Sequence, residues 1–210
     1  MEDINYFNKF AHEVKNPLTV CNGYLDMIME CNEKDRETYL KIVKDEIKRS
    51  LNIINNYKNL LVLDKRNFNL YDLLLEIKNS FENLYNSKII LISDNNLNFY
   101  GDYSKLKQVF LNIIKNSYES KSNNKLVIVI EVLKEDDYYK ICITDNGIGM
   151  IEEILKNIDK DYFTTKKNGT GLGISYIKDI IRLHNGSIEY YSKEDLGTKV
   201  EIKLKSPKDF

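Results

Sequence analysis

The chain has 210 residues, enough for one large domain or two small ones. Its 31 Lys and Arg nearly balance 32 Asp and Glu, a net charge of −1, which argues against nucleic acid or an anionic membrane as the main partner. A hydrophobic fraction of 42% beside 30% charged residues excludes a disordered profile, and three scattered cysteines (Cys21, Cys31, Cys142) without CxxC spacing fit neither a disulfide framework nor a zinc site. No apolar run approaches the roughly 18 residues that span a bilayer. Met1-Glu2-Asp3 opens on acid rather than on a signal peptide, so a reducing, cytoplasmic setting is expected.

The first sixty-odd residues read as helix. Phe7, Phe10, Val14, Leu18, Cys21, Leu25 and Ile28 recur at steps of three and four, one stripe on a helix. The pattern fades at Cys31-Asn32-Glu33. Leu40, Val43, Ile47, Ser50, Ile54, Tyr57 and Leu61 then form a heptad seam. Two helices of about 27 residues, roughly 40 Å each, make an antiparallel hairpin with one apolar face. That face has no second layer to pack against, so a homodimer closing into a four-helix bundle is expected. Pro17 sits inside the first helix, where it removes a backbone hydrogen bond, and a bend is expected there.

From about Asn67 the period changes. Leu70 to Leu84 reads as an amphipathic helix, Lys88 to Ile92 and Leu97 to Tyr100 as short strands, and Tyr103 to Ser120 as a helix. Lys125–Leu133 and Tyr138–Thr144 are rich in Ile, Val and Tyr, as strands prefer, with a turn at Asp136-Asp137. A loop from Asp145 to Gly173 precedes a helix to about His184, and Ser187–Ser192 with Thr198–Lys205 reads as a hairpin. Helices in one layer and a mostly antiparallel sheet in the other make an α+β sandwich. The boundary falls near Asp64–Asn69, giving domains 1–66 and 67–210.

Five of the nine glycines lie in two clusters, Asp145-Asn-Gly147-Ile-Gly149-Met150 and Gly169-Thr170-Gly171-Leu172-Gly173. Glycine lets backbone approach a ligand closely. The second cluster runs into a helix, whose N-terminal amides favour an anion such as phosphate, and Lys166 and Lys167 lie just before it. The spacing fits neither a Walker A loop nor a dinucleotide fingerprint. Asn112 and Asn116 stand four apart on one helix face, and amide oxygens are hard ligands suited to Mg²⁺. Asp145 ends an apolar strand, where a carboxylate can reach the edge of a base. His12 falls on the outward face of the first helix, with Glu13 able to accept an imidazole proton and Asn16 one turn on. His184 follows a helix and precedes Asn185-Gly186, as a C-cap histidine would.

Together these segments resemble a sensor histidine kinase of two-component signalling. Phe10-Ala-His12-Glu13-Val-Lys-Asn16-Pro17-Leu18-Thr19 is similar to the H box, most like that of sporulation and nitrogen-regulation kinases. Lys105 to Ser120, with Gln108, Asn112 and Asn116, resembles the N box; Asp145 to Met150 the G1 box; Tyr162 to Lys166 the F box; Gly169 to Gly173 the G2 box; and Gly197 to Ile202, opening on Gly197-Thr198, the last glycine motif. The resemblance implies a dimeric helical hairpin followed by an α/β sandwich of the histidine kinase/Hsp90-like ATPase (Bergerat) type. It implies that His12 takes the γ-phosphoryl group of ATP with Glu13 as base, and that Asn16 positions water for dephosphorylating a partner. Asn116, assisted by Asn112, would hold Mg²⁺. Asp145 would bind the adenine amine with Thr198 nearby, and Lys166 would meet the phosphates. Gly147, Gly149, Gly169, Thr170, Gly171, Leu172 and Gly173 would shape the nucleotide loops. The implied partner is the receiver domain of a response regulator.

Related ATPases of this sandwich place a glutamate where Asn112 stands, so its absence favours transfer to a side chain over hydrolysis. Ser117 and Ser120 replace the alanines usual in the N box, and both are expected to be packing changes. The F box departs from the family pattern in lacking one phenylalanine and its proline. His12 lies close to the start of the sequence, which leaves two expectations open: an excised kinase core, or a short orphan kinase driven by a separate sensor or activator. Three rival classes also stand: a plain ATPase or serine kinase, a scaffold whose nucleotide domain has decayed, and a phosphatase-dominant protein.

Overall fold

The computed structural model describes residues 2–60, 63–85, 87–121, 125–158 and 172–206, with the side chains of 2–9, 55–60 and 172 left undescribed. Contacts divide the chain into two units, Met1–Val62 and Leu63–Phe210.

The first unit is a hairpin of α1 (Glu2–Glu30) and α2 (Glu33–Leu60). Its turn is closed by Asn32, whose side-chain oxygen accepts the Asp35 N–H at 3.2 Å, while Glu33 and Asp35 place negative charge in the first turn of α2. Cys21 Sγ lies 3.6 Å from the Val43 carbonyl, and the Tyr24 and Tyr39 rings stand 5.4 Å apart, pairings that only antiparallel helices allow. α1 continues as helix through Pro17, whose ring removes the N–H that would donate to the Glu13 carbonyl one turn back. The two apolar stripes prove wider than the hairpin can cover. Glu13, Cys21, Val43, Ser50 and Ile53 are buried, whereas Leu18, Leu25, Leu40, Ile47 and Ile54 keep 39–49% of their surface exposed. Of the expected seam, Val43 and Ser50 thus turn inward, and a second flank remains on the surface. Phe7, Tyr57 and Leu61 lie outside the described side chains.

The second unit begins with β1 (Arg66–Asn69), which pairs antiparallel with β3 (Asn98–Gly101). The main sheet runs β2-β4-β5-β7-β6, from β2 (Lys88–Ile92), β4 (Val127–Glu135), β5 (Tyr138–Asp145), β7 (Gly197–Lys205) and β6 (Ser187–Lys193). β2 is parallel to β4 and every other pairing is antiparallel. Alternation along the strands sends Ile128, Ile130, Ile141, Ile143, Ile202 and Leu204 to one face. Helices α3 (Leu70–Tyr85), α4 (Tyr103–Glu119) and α6 (Leu172–Leu183) supply the facing layer through Leu74, Ile77, Phe110, Ile114, Ile177 and Ile180, all essentially inaccessible. A short α5 (Glu152–Asn157) follows β5. The α+β sandwich expected from the sequence is therefore present. Among the described residues no helix is long and apolar enough to cross a membrane.

One buried polar joint orients the helix that carries Asn112 and Asn116. Asp102 caps α4, its Oδ1 accepting the Lys105 N–H at 3.0 Å and its Oδ2 the Asp64 N–H at 3.0 Å. The Asp102 N–H in turn donates to His184 Nε2 at 2.9 Å, and His184 Nδ1 lies 2.8 Å from the Ile180 carbonyl. Nε2 must accept and Nδ1 must donate, so the ring is a neutral imidazole tying the end of α6 to the start of α4. His184 does follow α6 as a cap, with its own N–H bonded to Ile180 O at 3.1 Å, but its side chain is buried. Burial holds its pKa below the ordinary value, helped by Lys65 and Lys105 and opposed by the Ile180 carbonyl and Asp102. An unfolded histidine takes its proton near pH 6.5, whereas the folded one resists it. Stability of this unit is therefore expected to fall as pH drops from about 7.5 to about 5.5. In His184→Gln that slope should shrink, as read from urea midpoints at both pH values. Equal slopes would contradict a buried neutral ring.

Candidate functional site

Two separate surfaces carry the residues singled out by the sequence. On α1, His12 and Asn16 are both exposed and one turn apart, while Glu13 is only 7% exposed. Consecutive residues on a helix stand about 100° apart, which lets Glu13 enter the packed stripe while His12 faces water. His12 can therefore be reached by a reactant without any rearrangement of the hairpin, and Asn16 offers an amide beside it.

In the second unit the site is built around the end of β5. Asp145 is 6% exposed, and its Oδ1 accepts two backbone donors, Gly147 N–H at 2.9 Å and Thr198 N–H at 3.2 Å. Among the described residues no hydrogen bond reaches Oδ2, so one carboxylate oxygen is fixed by the fold and the other keeps its accepting capacity. The neighbouring Asn146 holds the loop to β4, accepting the Val127 N–H at 2.8 Å and donating to the Lys125 carbonyl at 3.1 Å.

The glycines of this loop are demanded by close approach. A Cβ on Gly147 would stand 2.6 Å from the Ser120 carbonyl at the end of α4, the same carbonyl that accepts the Ile148 N–H at 2.8 Å. Gly149 adopts φ +64° and Gly197 φ +86°, and a Cβ at either would lie 2.0 Å from a backbone carbonyl, of Lys193 and of Asp145 respectively. Two further bonds lace the loop to the β6–β7 hairpin: Asp195 N–H to the Ile148 carbonyl at 2.7 Å, and Met150 N–H to Ser192 Oγ at 2.9 Å. The first glycine cluster and the last glycine motif are thus one structure, backbone against backbone.

Along α4, Gln108, Asn112 and Asn116 follow at steps of four, and the two asparagines are half-buried. Gln108 Nε2 donates to Asn112 Oδ1 at 3.0 Å. An amide oxygen has two lone pairs, so this bond leaves Asn112 able to take a second contact. The donor set fits a nucleotide with a hard cation: carboxylate oxygen for a base, amide oxygens for Mg²⁺, and the start of α6 for phosphate. Gly173 lies in the first turn of α6, where a Cβ would meet no described atom within 4 Å. Lys166, Gly169, Thr170 and Gly171 lie outside the described residues, as does the whole segment 162–166, and Leu172 is described only in its backbone.

Some participants carry no motif of their own. Ser192 is the cross-strand partner of Thr198, and only the register of the hairpin brings its hydroxyl to the loop. Ser117 is buried, and its carbonyl accepts the Ser120 hydroxyl at 2.9 Å, closing the end of α4 against Gly147. The two serines therefore pack as expected and add one hydrogen bond.

Comparison with known proteins finds a family match within each unit. Residues 101–208 match the family of histidine kinase-, DNA gyrase B-, and HSP90-like ATPases, and residues 5–62 match the His Kinase A (phospho-acceptor) domain. Sporulation kinase B of Bacillus subtilis is 35% identical over 203 residues, covering 92% of this chain and 47% of that protein. The chain thus spans about half the length of that relative. The solved catalytic domain of histidine kinase ThkA is 26% identical with a TM-score of 0.61, covering 68% of this chain and 96% of that one. The fold also matches, at 22% identity and a TM-score of 0.60, ThkA in its complex with the response regulator TrrA, over 97% of this chain and 61% of that one.

Proposed function

This chain belongs to the histidine kinases of two-component systems, and on that premise we propose that it binds Mg-ATP, becomes phosphorylated on His12 and passes the phosphoryl group to an aspartate of a response regulator. The observation that carries this reading is an exposed histidine within a phospho-acceptor hairpin, on the same chain as a nucleotide sandwich whose Asp145 keeps one oxygen for a base. Domains 1–66 and 67–210 would then serve dimerisation with phosphotransfer and ATP binding, respectively.

In the transfer, a ring nitrogen of His12 attacks the γ-phosphorus, a P–N bond forms, the β–γ bridging P–O bond breaks, and ADP leaves with the electron pair. The displaced ring proton would pass to Glu13, whose side chain is only 7% exposed and would first have to turn out of the packed stripe to reach the ring. Phosphoryl transfer depends on positioning and on neutralising charge over the γ-oxygens more than on covalent help from the protein. Asn116, assisted by Asn112, would hold Mg²⁺, which supplies positive charge to those oxygens. Lys166 and the amides at the start of α6 add to it. Asp145 and Thr198 hold the adenine edge.

The exposed flank of Leu18, Leu25, Leu40, Ile47 and Ile54 supports a homodimer closing as a four-helix bundle. A role in sporulation rests on the relative named above, and a cytoplasmic setting on the need for ATP. A separate sensor or activator would supply the input.

A chase tests this reading. The phosphorylated chain is mixed with a receiver domain, and label is expected to leave the histidine and appear on an aspartate of the receiver, whereas label retained on the kinase would refute the relay. Asn16, exposed beside His12, is assigned to positioning water in the reverse, dephosphorylating direction. Asn16→Ala should leave autophosphorylation within about twofold of wild type while slowing loss of phosphate from the receiver about tenfold or more. Equal loss of both activities would sink that division of labour.

A further inference from the structure

The geometry points to Ser192 as a positioning residue that sets the proton on the Thr198 hydroxyl, and thereby the preference for a purine bearing an amine rather than a carbonyl at position six. This rests on the proposed assignment of Asp145 and Thr198 to the adenine edge. Ser192 Oγ has three polar neighbours, each at 2.9 Å: the Met150 N–H, the Gly197 carbonyl and Thr198 Oγ1. The Met150 N–H can only donate and the Gly197 carbonyl can only accept. Ser192 has a single proton, so its use decides the rest. When that proton goes to Gly197, Thr198 donates to Ser192 and all three contacts are hydrogen bonds. When it goes to Thr198 instead, the Gly197 carbonyl loses its donor from Ser192. The first arrangement makes one more bond in a half-buried place, where an unmet polar group costs about 1–3 kcal/mol.

In that arrangement the Thr198 proton points away from the site toward Ser192, and Thr198 Oγ1 presents lone pairs. Asp145 beside it already presents an accepting carboxylate oxygen, and the two residues are joined by the Thr198 N–H to Asp145 Oδ1 bond at 3.2 Å. The corner is therefore an acceptor pair. It suits the donating amine of adenine and repels the carbonyl oxygen that guanine and hypoxanthine carry at the same position. Ser192 touches no ligand in this account. It acts through Thr198, and its hydroxyl also holds the loop at Met150.

The test compares ATP with ITP, which differ at position six in amine against carbonyl, by equilibrium binding to the full chain with Mg²⁺. Wild type should bind ATP more tightly than ITP. Ser192→Ala frees the Thr198 proton to turn toward the base, so ATP affinity should fall about tenfold while ITP changes by less than about twofold. Ser192→Thr, which keeps the hydroxyl, should retain the wild-type ratio. Thr198→Val should narrow the ratio as Ser192→Ala does, and the double variant should narrow it no further. A parallel loss of both nucleotides in Ser192→Ala, or no change in either, would overturn the assignment and leave Ser192 as loop scaffolding. A wild-type chain that binds neither nucleotide would overturn the nucleotide-site reading itself, before any variant is compared.

Discussion

Replacing Gly197 by alanine is expected to abolish measurable nucleotide binding and to cost the Leu63–Phe210 unit about 2–4 kcal/mol of stability. Two independent effects add. Gly197 holds φ +86°, which a residue with a Cβ adopts only with strain, and the new methyl would stand 2.0 Å from the Asp145 carbonyl. The obstacle is backbone, so no rotamer change relieves it. Relief requires β7 and the end of β5 to part, and that displaces the Asp145 carboxylate together with the Thr198 N–H that fixes it. Urea unfolding and an ATP titration read the two effects separately. The same change at Gly23 provides the contrast. Gly23 lies inside α1, where an added Cβ would meet nothing within 4 Å, so Gly23→Ala should raise stability by about 0.5–1 kcal/mol through helix propensity. A Gly197→Ala protein with wild-type stability and affinity would show that the loop and hairpin are not packed as described.

Asp145→Asn is expected to lower ATP affinity about 100-fold while leaving the fold intact. The substitution is nearly isosteric, and the asparagine carbonyl can still accept the Gly147 and Thr198 N–H groups that Oδ1 accepts now. What changes is the other position, where an accepting oxygen becomes an NH₂ donor facing the adenine amine. The cost is the lost charge-assisted bond plus two donors brought face to face, which is why it exceeds that of a simple deletion. Circular dichroism should be unchanged and the loss should fall on nucleotide affinity. Unaltered ATP binding in this variant would remove Asp145 from the base site.

Elements whose information is local are legible in the sequence. The strand Lys88–Ile92 has the bounds its pattern predicts, because a short apolar run sits between a helix and a polar loop. α4 differs from its expected range by one residue, since its apolar stripe is unbroken over the whole helix. α5 is invisible there: six residues with none buried carry no periodic signature. β1 is equally silent, because its four residues become a strand only by pairing with β3, some thirty residues on. In the hairpin the apolar stripes are visible, but which flank packs inward depends on the facing of α1 on α2, so Leu40 and Ile47 end on the surface where Val43 turns in.

The site divides the same way. Asp145, Gly147 and Gly149 announce themselves, since glycines clustered after an apolar strand are unusual in composition. Ser192 and His184 do not. A serine in a hairpin and a histidine after a helix are ordinary residues, and their roles arise only when the fold brings them to Met150 and to Asp102.

The most direct test of the central claim is incubation of the chain with γ-labelled ATP and Mg²⁺, beside His12→Gln, followed by acid and alkali treatment of the labelled protein. His12 is exposed on α1, so glutamine there should leave the helix and the nucleotide unit undisturbed. The account predicts a label that is lost in acid, survives alkali and is absent from His12→Gln while ATP binding is retained. Label that persists in His12→Gln, or that survives acid, would place the phosphoryl group on another residue and contradict the account.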